Sequence, residues 1–254
     1  MRRPVSSLLA VLLLAGCSSG TSDDDETELT VFAASSLTAA FTERIGPTFE
    51  AEHDGVMVTF NFAASDTLAE QIQSEGTADV FTSASATWMD AVQDDPGVTG
   101  RIDVATNRLV IVTPPDNPAG IASIEDLAHD GVQLVLATEG VPVGDYAREA
   151  LDKAGIADEA EANVVSNEED NASVVAKIAA GEGDAGIVYG SDISAAAGND
   201  VAAVEIPGDV NVVATYPAAV IVGATDEQLA SEFVTYLTAP DGQAALEEYG
   251  FMPV

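Results

Sequence analysis

Small, neutral and often hydroxylated residues recur where a strand-like segment of this chain runs into a helix-like one. Ser36 follows the stretch TVFAAS, and Ser65 follows FNFAA. Val143 lies at a third junction, VLATEGVPVGDYA, and Asn171 lies at a fourth, VVSNEEDNASVV. Tyr189 ends a further strand-like run in GIVYGSD. Helix capping explains one serine at a helix start, but it does not explain the repetition.

The chemistry open to such junctions is the binding of a small anion. In open α/β sheets, ligands bind beyond the carboxyl ends of the strands, where helix N-termini converge. The free N–H groups and the positive ends of the helix dipoles hold a negative charge there without any lysine or arginine. The set of junctions therefore predicts an anion site built from neutral donors.

The residues that catalysis needs are not arranged for it. His53 and His129 are the only histidines, and neither stands in a metal-ligand spacing such as H-x-x-H. The sequence has no phosphate-binding G-x-x-x-x-G-K-[ST] loop. Paired acids such as Glu168 and Glu169 lack a partner for acid/base work. We expect a protein that is not an enzyme, uses no cofactor and binds no metal by direct side-chain coordination.

The N-terminus has the pattern of an export signal. Arg2 and Arg3 precede an apolar run that is too short to cross a bilayer. The following Leu-Ala-Gly-Cys resembles the lipobox of bacterial lipoproteins, and Cys17 is the only cysteine. We expect a signal peptide at 1–17, an acidic flexible tether at 18–28, and a domain that is exported and lipid-anchored to the outer face of the cell membrane. An ordinary secretory signal with an incidental cysteine is the alternative.

The charge balance is extreme, with 43 acidic against 8 basic residues and a net charge of −35. Nucleic acid is disfavoured as a partner, because phosphate binding draws most of its affinity from lysine and arginine. The acids are scattered along the chain, which indicates an acidic surface. Such a surface is typical of proteins from salt-loving organisms, and it also serves as a simple solubility device. Both interpretations stay open.

Strand-like and helix-like segments alternate along the chain, which is typical of an α/β architecture. Strands are predicted at 30–33, 56–62, 78–82, 109–112, 134–137, 164–165 and 186–189, with a last pair at 212–214 and 219–222. Helices are predicted at about 36–52, 67–74, 86–92 and 227–237, with a final helix after Pro240.

Six fragments, in this order between Leu29 and Phe251, resemble the molybdate-binding proteins of ABC importers: VFAASSLTAAF, FNFAASDTLAEQI, ADVFTSASATWMD, VPVGDYAREAL, GIVYGSD and PDGQAALEEYGF. The resemblance implies a two-lobed, periplasmic-binding-protein-like α/β fold of class II, with the ligand in the cleft between the lobes. It places the first lobe at 29–107 plus 216–254 and the second at 108–215.

The resemblance also implies a binding site for a tetrahedral oxyanion. Ser36 and Ser65 would donate through both hydroxyl and N–H, and Val143 and Asn171 through the backbone N–H. Tyr189 would donate its phenol, although a buried tyrosine bonded to protein is the simpler interpretation of that residue.

The function implied is high-affinity capture of molybdate and tungstate, with delivery to the permease of an ABC importer by a monomer. Sulfate, phosphate or another oxyanion is the alternative ligand. A ferric-ion binder and a tethered structural or sensory module are further alternatives.

Three features depart from the family's pattern. Asp66 follows Ser65, and Asp145 follows VPVG, so both acids would lie in first helical turns, where they compete with a ligand for the helix dipole. Asn171 stands where the family pattern leads us to expect valine. These acids keep open a variant in which carboxylates coordinate the metal centre directly, as in the archaeal tungstate-binding branch.

Overall fold

The computed structural model describes residues 27–195 and 200–254 of the chain. The predicted signal peptide (1–17), including the predicted lipidation site Cys17, and most of the predicted tether (18–28) lie outside the described residues. The last two tether positions, Thr27 and Glu28, belong to the first strand instead, because they pair with the next strand along the chain.

Strands and helices alternate through the described residues, which confirms the predicted α/β class. The strands are β1 (Thr27–Ala34), β2 (Val56–Ala63), β3 (Val80–Thr82), β4 (Val98–Thr113), β5 (Leu134–Ala137), β6 (Val164–Glu168), β7 (Ala185–Tyr189), β8 (Ala202–Glu205) and β9 (Val213–Ile221). The α-helices are α1 (Thr38–Ala40), α2 (Gly46–Glu52), α3 (Ser65–Glu75), α4 (Ala86–Asp94), α5 (Pro142–Lys153), α6 (Ala157–Ala162), α7 (Asn171–Ala179), α8 (Gly190–Ala195), α9 (Glu227–Thr238) and α10 (Pro240–Glu248).

The strands form two groups that share β4. In the first group, β1 pairs in parallel with β2 and β3, and β9 pairs antiparallel with β3 and β4. In the second group, β5 pairs in parallel with β6 and β7, and β4 pairs antiparallel with β7 and β8. We call the part built on the first group the first lobe and the part built on the second group the second lobe.

The long strand β4 passes from one lobe to the other. Its first part, Val98–Arg108, pairs with β9, and Leu109–Val112 pairs with β7. The predicted lobe boundaries at 107/108 and 215/216 fall inside β4 and β9, and the division itself stays a prediction.

One predicted pair of strands, 212–214 and 219–222, is wrong, because 213–214 and 219–221 belong to the single strand β9. Pro217 breaks the apolar pattern between them, and proline cannot donate to a sheet ladder. It is accommodated opposite Asp103, next to an irregularity of β4 where the register shifts before Ala105. Two segments had no predicted strand: the short β8 and the first part of β4.

The predicted helix at 36–52 is present, but its hydrogen bonding changes along its length. A 3₁₀ turn (Ser35–Leu37) leads into α1, and a π-helical stretch (Phe41–Ile45) separates α1 from α2. Pro47 explains the change, because it has no N–H for the bond that an α-helix would make to residue 43. The buried face of this segment packs into the first lobe, where the rings of Phe49 and Phe233 lie 5.1 Å apart, edge to face.

Helix α5 begins in close contact with the end of β5, and only glycine fits at the contact. A Cβ atom at Gly144 would lie 2.3 Å from the carbonyl oxygen of Thr138 and 2.6 Å from that of Ala137. Both obstructing atoms are backbone, so the helix itself must move to admit a side chain.

We therefore predict that Gly144→Ala lowers the free energy of unfolding by about 1–3 kcal/mol, the usual cost of forcing extra volume into a packed site. Thermal or denaturant unfolding measures the change. Gly208→Ala is the matched control, because a Cβ there meets nothing within 4 Å. Equal stability of the two variants would contradict the close contact.

Candidate functional site

The structure brings all five sequence-predicted residues together around one small cavity between the lobes. Its walls are formed by Ala34, Ser35, Ser36, Ala64, Ser65, Ala84, Val141, Pro142, Val143, Asn171 and Tyr189. The cavity is small, with room for about one water-sized group between these walls.

Ser65 is the first residue of α3, directly after β2. Its N-cap, Ala64, has no side chain able to cap the helix, so the first N–H groups of α3 have no partner within the helix. The Ser65 Oγ accepts a hydrogen bond from the N–H of Ala84 at 2.9 Å. Because that bond uses an oxygen lone pair, the hydroxyl hydrogen is left to donate to a ligand.

Ser36 lies in the 3₁₀ turn that follows β1, and it is almost fully buried. Its Oγ is 2.9 Å from the Oη of Tyr216, and either hydroxyl is able to donate in this pair. Burial raises the pKa of the Tyr216 phenol above its ordinary value, so this phenol is neutral at physiological pH.

The second lobe contributes two helix starts. Helix α5 has Val141 at its N-cap and proline as its first residue, so Val143 is among the positions whose N–H has no partner within the helix. Helix α7 begins at Asn171, and its N-cap Asp170 accepts the N–H of Ser173 at 2.8 Å. That cap leaves the N–H of Asn171 itself free of intrahelical bonding.

Tyr189 ends β7 with its side chain buried against the cavity. Within the described part of the chain no atom has the distance and angle of a hydrogen bond to its Oη, although the neighbouring Tyr216 phenol is near enough to contribute to its raised pKa. An unsatisfied buried donor costs about 1–3 kcal/mol, so this hydroxyl favours a ligand that accepts from it. Burial also raises the pKa of Tyr189 well above its ordinary value, which keeps the phenol protonated and able to donate.

The electrostatics of the cavity come from the backbone. Among the described residues, none that lines it is Lys, Arg, His, Asp or Glu. Three helices of 11, 12 and 9 residues, α3, α5 and α7, begin at its wall. Their N-terminal dipole ends favour negative charge, and their unpaired N–H groups supply donors. The arrangement can hold a compact anion.

The two acids expected in first helical turns are found there. Asp66 is the second residue of α3, and burial raises the pKa of its carboxyl above the ordinary value. Asp145 lies in the first turn of α5, where its Oδ1 accepts the N–H of Gly140 at 2.8 Å. Asp145 is therefore occupied in closing the loop that precedes α5.

Sequence reasoning missed three polar residues of this region: Ser35, Asp192 and Tyr216. It also assigned Asn171 a backbone role alone, whereas the Asn171 side chain accepts a hydrogen bond from Ser35 Oγ and donates to Asp192 Oδ1 at 2.6 Å. The sequence held one usable signal, because Asp192 follows Tyr189 by three residues and reaches back to accept its N–H at 2.9 Å.

A contact across the cleft lies beside the cavity. Trp88, on α4 of the first lobe, donates its Nε1–H to the carbonyl oxygen of Gly140, which follows β5 of the second lobe, at 2.9 Å. Trp88 is the only tryptophan in the chain. Its indole therefore reports on the cleft without any competing signal.

Two features are absent from the described ranges, 27–195 and 200–254. They contain no group of three or more His, Cys, Asp or Glu residues placed to hold a metal ion. They also contain no helix whose length and apolar character would let it span a membrane.

Comparison with known proteins identifies the family. The model of the family described as "Bacterial extracellular solute-binding protein" matches residues 29–252. The chain is 39% identical over 224 residues to the molybdate-binding protein ModA of Mycobacterium tuberculosis H37Rv, covering 88% of this chain and 84% of the relative. It is 36% identical over 263 residues to ModA of Escherichia coli K12, covering 99% of each.

Solved structures share the fold. The periplasmic molybdate-binding protein of Azotobacter vinelandii superimposes with a TM-score of 0.76 at 19% identity, covering 89% of this chain and 99% of that one. The substrate-binding domain of a putative molybdenum ABC transporter from Clostridium difficile superimposes with a TM-score of 0.69 at 28% identity, with the same coverage. With a family model that spans most of its length, this chain belongs to the bacterial extracellular solute-binding proteins and has their two-lobed α/β fold.

Proposed function

We propose that this protein captures molybdate, and tungstate by the same contacts, outside the membrane and delivers it to the permease of an ABC importer. The observation that carries the proposal is the buried Tyr189 hydroxyl, which has no hydrogen-bond partner in the described residues and lines a cavity of neutral donors. The names of the curated relatives, molybdate-binding protein ModA, support the choice of oxyanion.

The donor set suits a tetrahedral dianion. The first lobe offers the hydroxyl and N–H groups of Ser36 and Ser65, and the second offers the N–H groups of Val143 and Asn171 and the phenol of Tyr189. Because the donors come from both lobes, a ligand held between the lobes receives hydrogen bonds from two sides. Hydrogen bonds to a charged acceptor are the strong ones, and a buried site strengthens them further.

Cavity size is the means of selection. Sulfate shares the charge and the shape of molybdate but is smaller, so it leaves some of the donors short of a partner. Each unsatisfied buried donor costs about 1–3 kcal/mol. Molybdate and tungstate are nearly the same size, so these contacts hold both.

We extend the proposal to location and partners. The chain is exported, acylated at Cys17 and held at the outer face of the membrane, and it works as a monomer without a cofactor or catalytic activity. A relative in Bacillus subtilis, 29% identical over 252 residues, is described as a putative ABC transporter substrate-binding lipoprotein, which supports the anchor.

Titration with molybdate, tungstate, sulfate and phosphate tests the function. We expect molybdate and tungstate to release heat and change the fluorescence of Trp88 at stoichiometric concentrations, with sulfate and phosphate silent at the same concentrations. Heat from sulfate or phosphate alone would keep an oxyanion site and overturn the proposed ligand. If none of the four anions releases heat or changes the fluorescence, the proposal that the ligand is an oxyanion is wrong.

Tyr189→Phe tests the phenol. We expect molybdate to bind roughly 10- to 100-fold more weakly, the loss that follows from removing one hydrogen bond to a charged group, with thermal stability unchanged or raised. Tyr249→Phe is the control, because the Tyr249 hydroxyl donates to Glu43 at 2.8 Å on the exposed surface. Calorimetry measures both affinities, and wild-type affinity in Tyr189→Phe would remove the phenol from the site.

The acidic surface gives a prediction about rates. A protein of net charge −35 repels a dianion, and the screening length falls from about 10 Å at 0.1 M salt to about 3 Å at 1 M. We therefore expect the association rate of molybdate, followed by stopped-flow fluorescence of Trp88, to rise with salt. Sucrose at matched viscosity serves as the control. A rate that falls on adding salt would indicate attraction to a local positive potential instead.

A further inference from the structure

We propose that the side chains of Ser35, Asn171 and Asp192 form a clasp that holds the lobes closed and sets the rate at which the ligand leaves. The identity of that ligand rests on the function proposed above. We use the word clasp for these three side chains and the hydrogen bonds that join them.

The clasp is continuous from one lobe to the interior of the other. Ser35, in the turn after β1, donates its hydroxyl to the Oδ1 of Asn171 at the start of α7. The Nδ2–H of Asn171 donates to the Oδ1 of Asp192 on α8 at 2.6 Å. The Asn171 amide thus has a partner at each end, which fixes its orientation.

Asp192 ties the clasp to the ligand cavity. Its Oδ2 accepts the backbone N–H of Tyr189 at 2.9 Å, and the phenol of Tyr189 lines that cavity. Asn171 and Asp192 are 5% and 7% exposed, so these bonds are made in a low-dielectric interior where they are strengthened. Ser35 and Asn171 line the cavity themselves, so the inter-lobe bond lies at the cavity wall.

The bond from Ser35 to Asn171 joins residues 136 positions apart in the chain, on different lobes. Opening the cleft must break it. Opening leaves the Asn171 Oδ1 without its first-lobe partner, whereas the bonds within the second lobe persist. Breaking the clasp is therefore a cost of opening that does not depend on contacts to the ligand.

The charge state of Asp192 sets the strength of the clasp. Burial raises the pKa of its carboxyl to about 7, and the N–H bonds from Tyr189 and Asn171 oppose that rise. The ionised carboxylate accepts one N–H on each oxygen. Protonation makes the carboxyl a weaker acceptor, so the N–H bonds from Tyr189 and Asn171 weaken and Asn171 is held less firmly below that pH.

Other titratable groups near Asp192 do not supply a counter-charge. The carboxylate of Asp170 raises the pKa of Asp192 further. Other titratable groups on neighbouring elements include Tyr189, Tyr216 and Glu43, which is bonded to Tyr249. The cations on these elements are paired elsewhere, Arg108 of β4 with Glu205 and Lys177 of α7 with Glu168.

Release kinetics test the clasp. In the full chain loaded with molybdate, we expect Ser35→Ala to release the ligand about 3- to 10-fold faster at pH 8, the change expected for the net loss of one hydrogen bond, with the association rate changed less than twofold. Stopped-flow fluorescence of Trp88 measures the rate at which bound molybdate is released. Asn171→Val removes the same bond from the other lobe and must also speed release. Thr42→Val is the control, because Thr42 is exposed and lines a surface groove together with Ser35.

A pH profile separates the clasp from a merely structural effect. The ratio of the release rates of Ser35→Ala and wild type should fall from pH 8 to pH 6, across the raised pKa of Asp192, because the clasp is weakened in wild type as the pH falls. Any repulsion between the Asp192 charge and the ligand is present in both proteins and cancels in the ratio. A ratio that is the same at pH 6 and pH 8 would overturn the role of Asp192.

Scattering from the ligand-free protein separates failure of the clasp from failure of the proposed function. We expect a larger radius of gyration for Ser35→Ala than for wild type. Equal radii together with wild-type release rates in both variants would overturn the clasp while the function stands. If no oxyanion binds, the function fails, and the comparison of radii alone then decides for or against the clasp.

Discussion

Hydrogen-bond donors buried without partners are the feature on which the rest of this structure depends. Among the described residues the buried hydroxyl of Tyr189 has no hydrogen-bond partner and lines a small cavity, and α3, α5 and α7 begin at the wall of that cavity, where the first N–H groups of a helix have no partner within it. Such groups cost free energy in the empty protein, and no lysine or arginine among the described residues lines the cavity to supply attraction in their place. Affinity must therefore come from satisfying these donors when an acceptor binds. A ligand with several acceptor oxygens satisfies the most donors and binds most tightly.

The fold serves this constraint by placing strand ends. Each parallel strand near the cavity ends at the cavity wall and is followed by a helix. The N–H groups in the first turn of that helix have no hydrogen-bond partner within it. The close contact at Gly144 lets α5 begin directly against β5, and the shared strand β4 keeps two such sets of ends opposite each other. A single lobe would present half of the donors to open water, where they would have no preference for a ligand.

The sequence predicted the parts of this arrangement that are local. The alternation of strands and helices, and the residues Ser36, Ser65, Val143, Asn171 and Tyr189, could be identified because each lies in a strand-to-helix junction that is visible within a dozen positions. The features that the sequence did not predict depend on residues far apart in the chain. The single strand β9 was predicted as two, because a sequence pattern does not show the irregularity in β4 next to which Pro217 is accommodated. The hydrogen bond between Ser35 and Asn171 joins residues 136 positions apart, so the local sequence around either residue does not predict the other as its partner.

The acidic surface and the neutral cavity act on a ligand at different distances. The surface charge affects the rate at which an anion reaches the protein, and the cavity affects how long the anion stays bound. A net charge of −35 is felt by an approaching anion over the screening length, so it governs the frequency of encounter and weakens with salt. The donors and the inter-lobe bonds act only at contact, inside a cavity from which salt is excluded, so they govern how long the ligand stays. A chain can therefore carry a charge of the same sign as its ligand and still hold it tightly, provided that its lobes close completely enough to keep those short bonds dry.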